Sequence, residues 1–118
     1  MIKRESDMLN EIREQMRGGK GHVEIKHIFA KDELKGNVRL CARITINPGN
    51  SIGVHEHVNE EEIFYIISGK GLVNDNGTKA EVNPGDAIVT GYGGYHSIES
   101  IGTEPLEMMA VIITGNKQ

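Results

Sequence analysis

The run Gly49-Asn50-Ser51-Ile52-Gly53-Val54-His55-Glu56-His57-Val58-Asn59-Glu60-Glu61-Glu62 decides how this chain is read. Side chains of an extended strand alternate between two faces, so His55 and His57 point to one side. A carboxylate a few residues later can return to that side after a tight connection, and Glu60, Glu61 and Glu62 all compete for the place. A second run, from Gly85 through Gly91, Gly93 and Gly94 to His96, brings one more imidazole from a distant strand. Three neutral nitrogens and one oxygen suit a borderline divalent ion such as Mn, Fe, Co, Ni or Zn. On an octahedral ion they would leave positions open for a small substrate or dioxygen.

The rest of the chain sets bounds. Its 118 residues fit one domain of ordinary size, able to bury a core without disulfides. The formal net charge of -4 gives no basic surface for nucleic acid and no pull toward an anionic membrane. Cys41 stands alone and reads as a small buried apolar residue in a strand. The N-terminus is charged and lacks an apolar signal core, so a cytoplasmic location is expected.

Met8, Leu9, Ile12 and Met16 recur at helical spacing, which predicts a short amphipathic helix between Glu5 and Arg17. Gly18-Gly19-Lys20-Gly21 would stop it. From His22 onward the pattern is strand-like. Asn47-Pro48-Gly49 and Asn83-Pro84-Gly85 are matching turns, each opening one histidine-bearing run. Asn76-Gly77 between 71–75 and 78–82 predicts a type I′ hairpin. Many short strands with evenly spaced turns argue for a jelly-roll sandwich or barrel.

The two runs resemble the two motifs of the cupin superfamily. The first, G-x5-H-x-H-x3,4-E-x6-G, is met by Gly49, His55, His57, Glu62 and Gly69. The second is met by Gly85, Gly93 and His96, with Gly91 in place of the usual Pro and Ser100 in place of the usual Asn. Glu62 is preferred over Glu60 and Glu61 because it alone leaves six residues before Gly69. The resemblance covers residues 38–113. It implies an all-β fold, a cupin-type antiparallel jelly-roll barrel, within a single domain 1–118 that carries an N-terminal helical extension at 1–20. It also implies one divalent ion per subunit, Mn or Fe ahead of Zn, Ni and Co, held by His55, His57, Glu62 and His96. Among cupins the chain is similar to small bacterial members described as oxalate-decarboxylase-like. Ile52, however, stands where the two-domain oxalate decarboxylases carry an Arg.

Glu62 shares a strand face with Phe64 and Ile66, which predicts a ligand above an apolar floor. Ile52 and Val54 would make part of the pocket apolar. Arg43 could line the barrel and pair with an anionic substrate, or form an exposed ion pair. Tyr92 and Tyr95 could hydrogen-bond a ligand or merely pack. His27 is in phase with Val23 and Ile25, and a buried, satisfied histidine is preferred to a pocket role. The leading expectation is a metal-dependent enzyme acting on a small carboxylate, keto acid or sugar-derived compound. A non-catalytic ligand-binding or sensor cupin and an iron-dependent dioxygenase are the alternatives. The ligand is expected to be anionic. Exposed strand edges and the N-terminal apolar residues predict a homodimer.

Overall fold

Residues 1–115 are described by a computed structural model. Alternation of apolar and polar residues along Val38–Ile46 produces the third strand, β3, whose Ala42, Ile44 and Ile46 are buried while Arg43 and Thr45 face outward. It pairs on one side with β2 (His22–His27), which is followed by β1 (Leu9–Glu14). On its other side lies β10 (Leu106–Thr114), then β5 (Glu60–Ser68) and β8 (Ala87–Gly91), completing a six-stranded sheet. The second sheet has the order β4 (Ser51–Glu56), β9 (Tyr95–Ser100), β6 (Gly71–Asp75) and β7 (Thr78–Val82). Every pairing is antiparallel.

The core lies between the sheets. Ile25, Ile44, Phe64, Ile66, Leu106 and Met108 from the first meet Ile52, Val73 and Ile98 from the second. Burying one such side chain contributes about 1.5–3 kcal/mol. The same apolar interior makes an unpaired charge costly there.

The turns follow the expected chemistry. Asn76 and Gly77 take φ of 50° and 93° between Asp75 and Thr78. In both Asn-Pro-Gly corners the glycine has positive φ and the turn closes by an N–H···O bond, Asn50 to Asn47 and Asp86 to Asn83, each 3.0 Å.

Two expectations need correction. The two sheets are not joined into one closed barrel, so the architecture is a two-sheet jelly-roll sandwich. The segment expected to be an N-terminal helix is a 3-10 turn at Glu5–Asp7, strand β1, and a second 3-10 turn at Met16–Gly18. The helical spacing of Leu9 and Ile12 finds no surface to cover, since both are exposed. A short isolated helix is marginal in water. As a strand, the same residues gain a six-pair ladder with β2, and only Met16 reaches the core. Among the described residues no helix is long and apolar enough to cross a membrane.

Candidate metal centre

His55 lies near the end of β4 and His57 just beyond it, while His96 faces His55 across the β4–β9 ladder. Their inward aim depends on a bulge. Ile52 pairs with Ile98 and is buried, so regular alternation would turn Val54 and Glu56 inward and both histidines out. The β4–β9 register shifts between Ile52 and His55 and reverses this. Val54 is consequently 57% exposed, which corrects the expectation that it lines the pocket. Gly53 sits at the bulge, where an added Cβ would meet the Arg17 carbonyl oxygen at 2.1 Å.

Glu62 comes from the opposite sheet, on the inner face of β5 with Phe64 and Ile66. The site therefore bridges the two sheets. Of the competing carboxylates, Glu62 alone joins the cluster. Asn59, at φ 57°, helps to turn the chain from His57 into β5. Gly91, where the family motif has Pro, has no room for a Cβ, which would lie 2.4 Å from the backbone of Glu60 and Glu61 on β5.

The four side chains offer donor atoms all within 4.8 Å of one another. His57 Nε2 is 3.0 Å from His96 Nε2, which is 3.1 Å from His55 Nε2. Glu62 Oε1 lies 3.1 Å from the Nε2 atoms of both His57 and His96. An ion about 2.1–2.2 Å from each donor would place neighbouring donors about 3.0–3.1 Å apart at right angles. The observed spacing fits that arrangement.

The hydrogen bonds on the far side of the rings fix which nitrogen faces inward. His55 Nδ1–H donates to the Gly53 carbonyl at 2.8 Å, and His57 Nδ1–H donates to Glu60 Oε2 at 2.6 Å. Both Nε2 atoms of the neutral rings are therefore lone pairs aimed at the cluster centre. With Glu62 beside them they demand a proton or a cation, so the donor set fits a divalent ion. His96 stacks on Phe64 at 4.9 Å and 7°, which fixes its ring plane.

Environment separates these groups. Burial pushes the His55 proton affinity down. A hydrogen bond with Glu62 raises that of His57, and the bond to Glu60 adds to it. Burial would raise the Glu62 pKa, but the His57 and His96 hydrogen bonds outweigh it and the net shift is downward. Glu60, gripped by Arg39 Nε and Nη2 at 2.9 and 2.8 Å and bonded to His57, is lowered to about 2.

Above the cluster lies a narrow cavity of about 50 Å³. Ile52 lines it, as do Ile25, Ile44 and Ile112. The other residues singled out from the sequence do not. Arg43 is on the outer face, bonded to Glu107 at 2.7 Å, because its parity opposes that of Ala42 and Ile44. It lines a separate outer groove of about 460 Å³, where Lys26 pairs with Glu5 as Arg43 does with Glu107. His27 bonds Glu11 on β1 at 2.8 Å. Tyr92 and Tyr95 are exposed around the β8–β9 turn, Tyr95 bonded through its backbone N–H to Asn76. Sequence reading missed the three guanidinium groups that do line the cavity, Arg13, Arg17 and Arg39. Two of them lie in the segment read as helix, so no strand parity could aim them.

The cupin domain family model matches residues 42–112. An oxalate-binding protein of Thermotoga maritima is 43% identical over 113 residues, covering 96% of this chain and 93% of that protein. A crystal structure of a predicted oxalate decarboxylase from Thermotoga maritima superposes with a TM-score of 0.91 at 43% identity, over 97% of this chain and 99% of that one. A polyketide cyclase of Streptomyces resistomycificus, TM-score 0.77 and 21% identical, covers 98% of this chain and 81% of its own and shares the fold. With two sheets of the jelly-roll kind, both histidine motifs in place and a relative this similar over nearly its whole length, the chain belongs to the cupin family.

Proposed function

We propose that this protein is a metal-dependent cupin that captures a small anionic carboxylate of the oxalate class. One observation carries the reading: one narrow cavity is lined both by His55, His57 and Glu62 and by Arg13, Arg17 and Arg39. A divalent ion held by His55, His57, Glu62 and His96, Mn or Fe in our reading, would supply Lewis acidity toward a chelated carboxylate or carbonyl. The chain's own residues supply size and charge selection. Isoleucines exclude water and bulk, and planar guanidinium forks match carboxylate oxygens. The oxalate named for the Thermotoga relative agrees with this chemistry.

Capture is favoured over proton-transfer chemistry by the lining. Apart from the metal-donor residues, the described cavity residues are aliphatic, Met or Arg. None of these moves a proton near neutral pH. An enzyme acting on a small carboxylate, keto acid or sugar-derived compound is the second reading, and an iron dioxygenase the third. Copurified iron with substrate-dependent oxygen uptake would favour the latter.

The test is calorimetric titration of oxalate into Mn-loaded and chelator-stripped protein. Binding is expected only with metal. Equal binding by the stripped protein would refute the reading.

We also propose a two-fold homodimer with a second copy seated on the outer face of the six-stranded sheet. There Ile63, Tyr65 and Val89 form an exposed apolar group beside Met109 and Val111. Light scattering should give about twice 13.0 kDa; a mass of one chain would reject it.

A further inference from the structure

The connection between β1 and β2 is held in an uncommon backbone conformation. Gln15 has φ 47°, Arg17 φ 55° and Gly18 φ 79°, three left-handed residues within four. L side chains rarely adopt this region, and where they do the surrounding structure must impose it.

Here the surroundings do so. Gly18 and Gly19 N–H groups close back on the Gln15 and Met16 carbonyls, each at 2.9 Å. Lys20 N–H donates to Ser51 Oγ at 2.9 Å, and Ser51 N–H donates to the Lys20 carbonyl at 3.0 Å. The loop lies directly on the β4 backbone. A Cβ on Gly19 would sit 2.1 Å from the Ser51 carbonyl oxygen, as one on Gly53 would from that of Arg17. Two glycines on opposite sides of one contact let the loop reach the strand that carries His55.

This packing places Arg17 in the wall of the cavity over the metal-donor cluster. Its two companions are already engaged. Arg13 pairs with Glu11 at 2.9 Å, and Arg39 grips Glu60 through two hydrogen bonds. Arg17 has no carboxylate partner among the described residues. It is the cavity's uncommitted cation.

Charge counting gives the ligand class. A divalent ion with Glu62 keeps one net positive charge, and Arg17 adds a second. The Arg13–Glu11 and Arg39–Glu60 pairs add none. A cavity of about 50 Å³ keeps the ligand short, so one small molecule meets both centres. We propose that Arg17, held over the cavity by the left-handed β1–β2 loop, is the specificity residue that selects small dianions over monoanions at the metal centre. This rests on the capture function proposed above.

The experiment compares oxalate and acetate binding to Mn-loaded protein by calorimetry, in the wild type, Arg17→Gly, Gly19→Ala and His57→Ala. Glycine at position 17 suits the left-handed backbone, so the variant removes the guanidinium without straining the loop. Arg17→Gly should weaken oxalate binding roughly ten- to a hundredfold, the range for hydrogen bonds to a charged group. It should weaken acetate binding far less than oxalate binding and leave Mn affinity as in the wild type. Gly19→Ala, which must lift the loop from Ser51, should reproduce the loss of oxalate binding. Arg17→Gly protein that binds oxalate as tightly as the wild type, while His57→Ala abolishes binding, would overturn the role of Arg17 and leave the capture function standing. Equal loss of oxalate and acetate would overturn the selectivity. Wild-type protein that binds neither anion would overturn both.

Discussion

Replacing Glu60 by Gln tests whether the centre extends beyond its four donors. Glu60 is not in the donor cluster, yet its Oε2 accepts the His57 Nδ1 proton at 2.6 Å. Arg39 holds the same carboxylate through two bonds, and the pKa of Glu60 is lowered to about 2, so it is ionised at neutral pH. A carboxylate on the outer nitrogen fixes the tautomer of a ligating histidine and increases its basicity, and removing such a partner costs about 10–100-fold in metal affinity. That range corresponds to about 1.4–2.7 kcal/mol. Gln preserves the shape and can still accept the proton through its amide oxygen. The loss should therefore lie toward the lower end, about tenfold. Glu60→Ala removes the acceptor and leaves Arg39 without its partner, so it should lie toward the upper end. Competition of each variant with a chromophoric chelator for Zn or Co measures the affinities, and the Co absorption bands report the ligand field directly. Wild-type affinity and an unchanged Co spectrum in Glu60→Ala would show that the His57–Glu60 bond only shapes the loop, and the reasoning would fail.

His57→Ala should remove an inward lone pair and weaken metal binding far more than His22→Ala; equal effects in elemental analysis would mean that the cluster is misread. Acid should strip the metal as protons compete for the three imidazoles, and flat retention between about pH 8 and 5 would contradict histidine ligation. In the metal-free protein, the lowered Glu60 pKa contributes stability that is complete above its ordinary 4.5 and lost as pH falls toward about 2, so the urea midpoint should fall over that window in the wild type and less in Glu60→Gln. Phe64→Ala should cost about 3–5 kcal/mol in denaturant unfolding, because the ring is buried in the core and forms the floor under His96.

The site was legible in the sequence to different depths. Period-two alternation puts His55 and His57 on one face, a local rule; the resemblance to the two family motifs is what adds Glu62 and His96. The motif spacing selects Glu62 over Glu60 and Glu61, because it alone leaves six residues before Gly69; parity with Phe64 and Ile66 would exclude only Glu61. What spacing could not reveal was the bulge between Ile52 and His55. Alternation counted from the buried Ile52 would place Val54 inside and the histidines outside, and alternation counted from the histidines would place Ile52 outside; only a register shift satisfies both ends. Arg43 fails for the opposite reason. Its strand is regular, and the parity that buries Ala42 and Ile44 turns it outward. The N-terminal segment misleads because four apolar residues at helical spacing carry no information about an available sheet edge. Strand pairing with β2 is a tertiary gain, and it overrides a weak local preference.

Those unread features are what join the fold to its chemistry. Glu62, only 4% exposed, lies on the apolar face of one sheet, while His57 and His96, 2% and 1% exposed, come from the other. An interior of isoleucine and phenylalanine stabilises the sandwich but penalises each of these groups if it is left unpaired. Bringing three imidazoles and a carboxylate to one point offsets part of that penalty through mutual hydrogen bonds. It leaves a concentrated demand for positive charge between the sheets. The bulge sets the aim of His55 and His57, and the close contact at Gly19 and Gly53 brings the β1–β2 loop and Arg17 over the same cavity. The bulge and the left-handed β1–β2 loop both lie at the site, and the regular strands supply an isoleucine lining, beside which opposite charges attract more strongly than in bulk water.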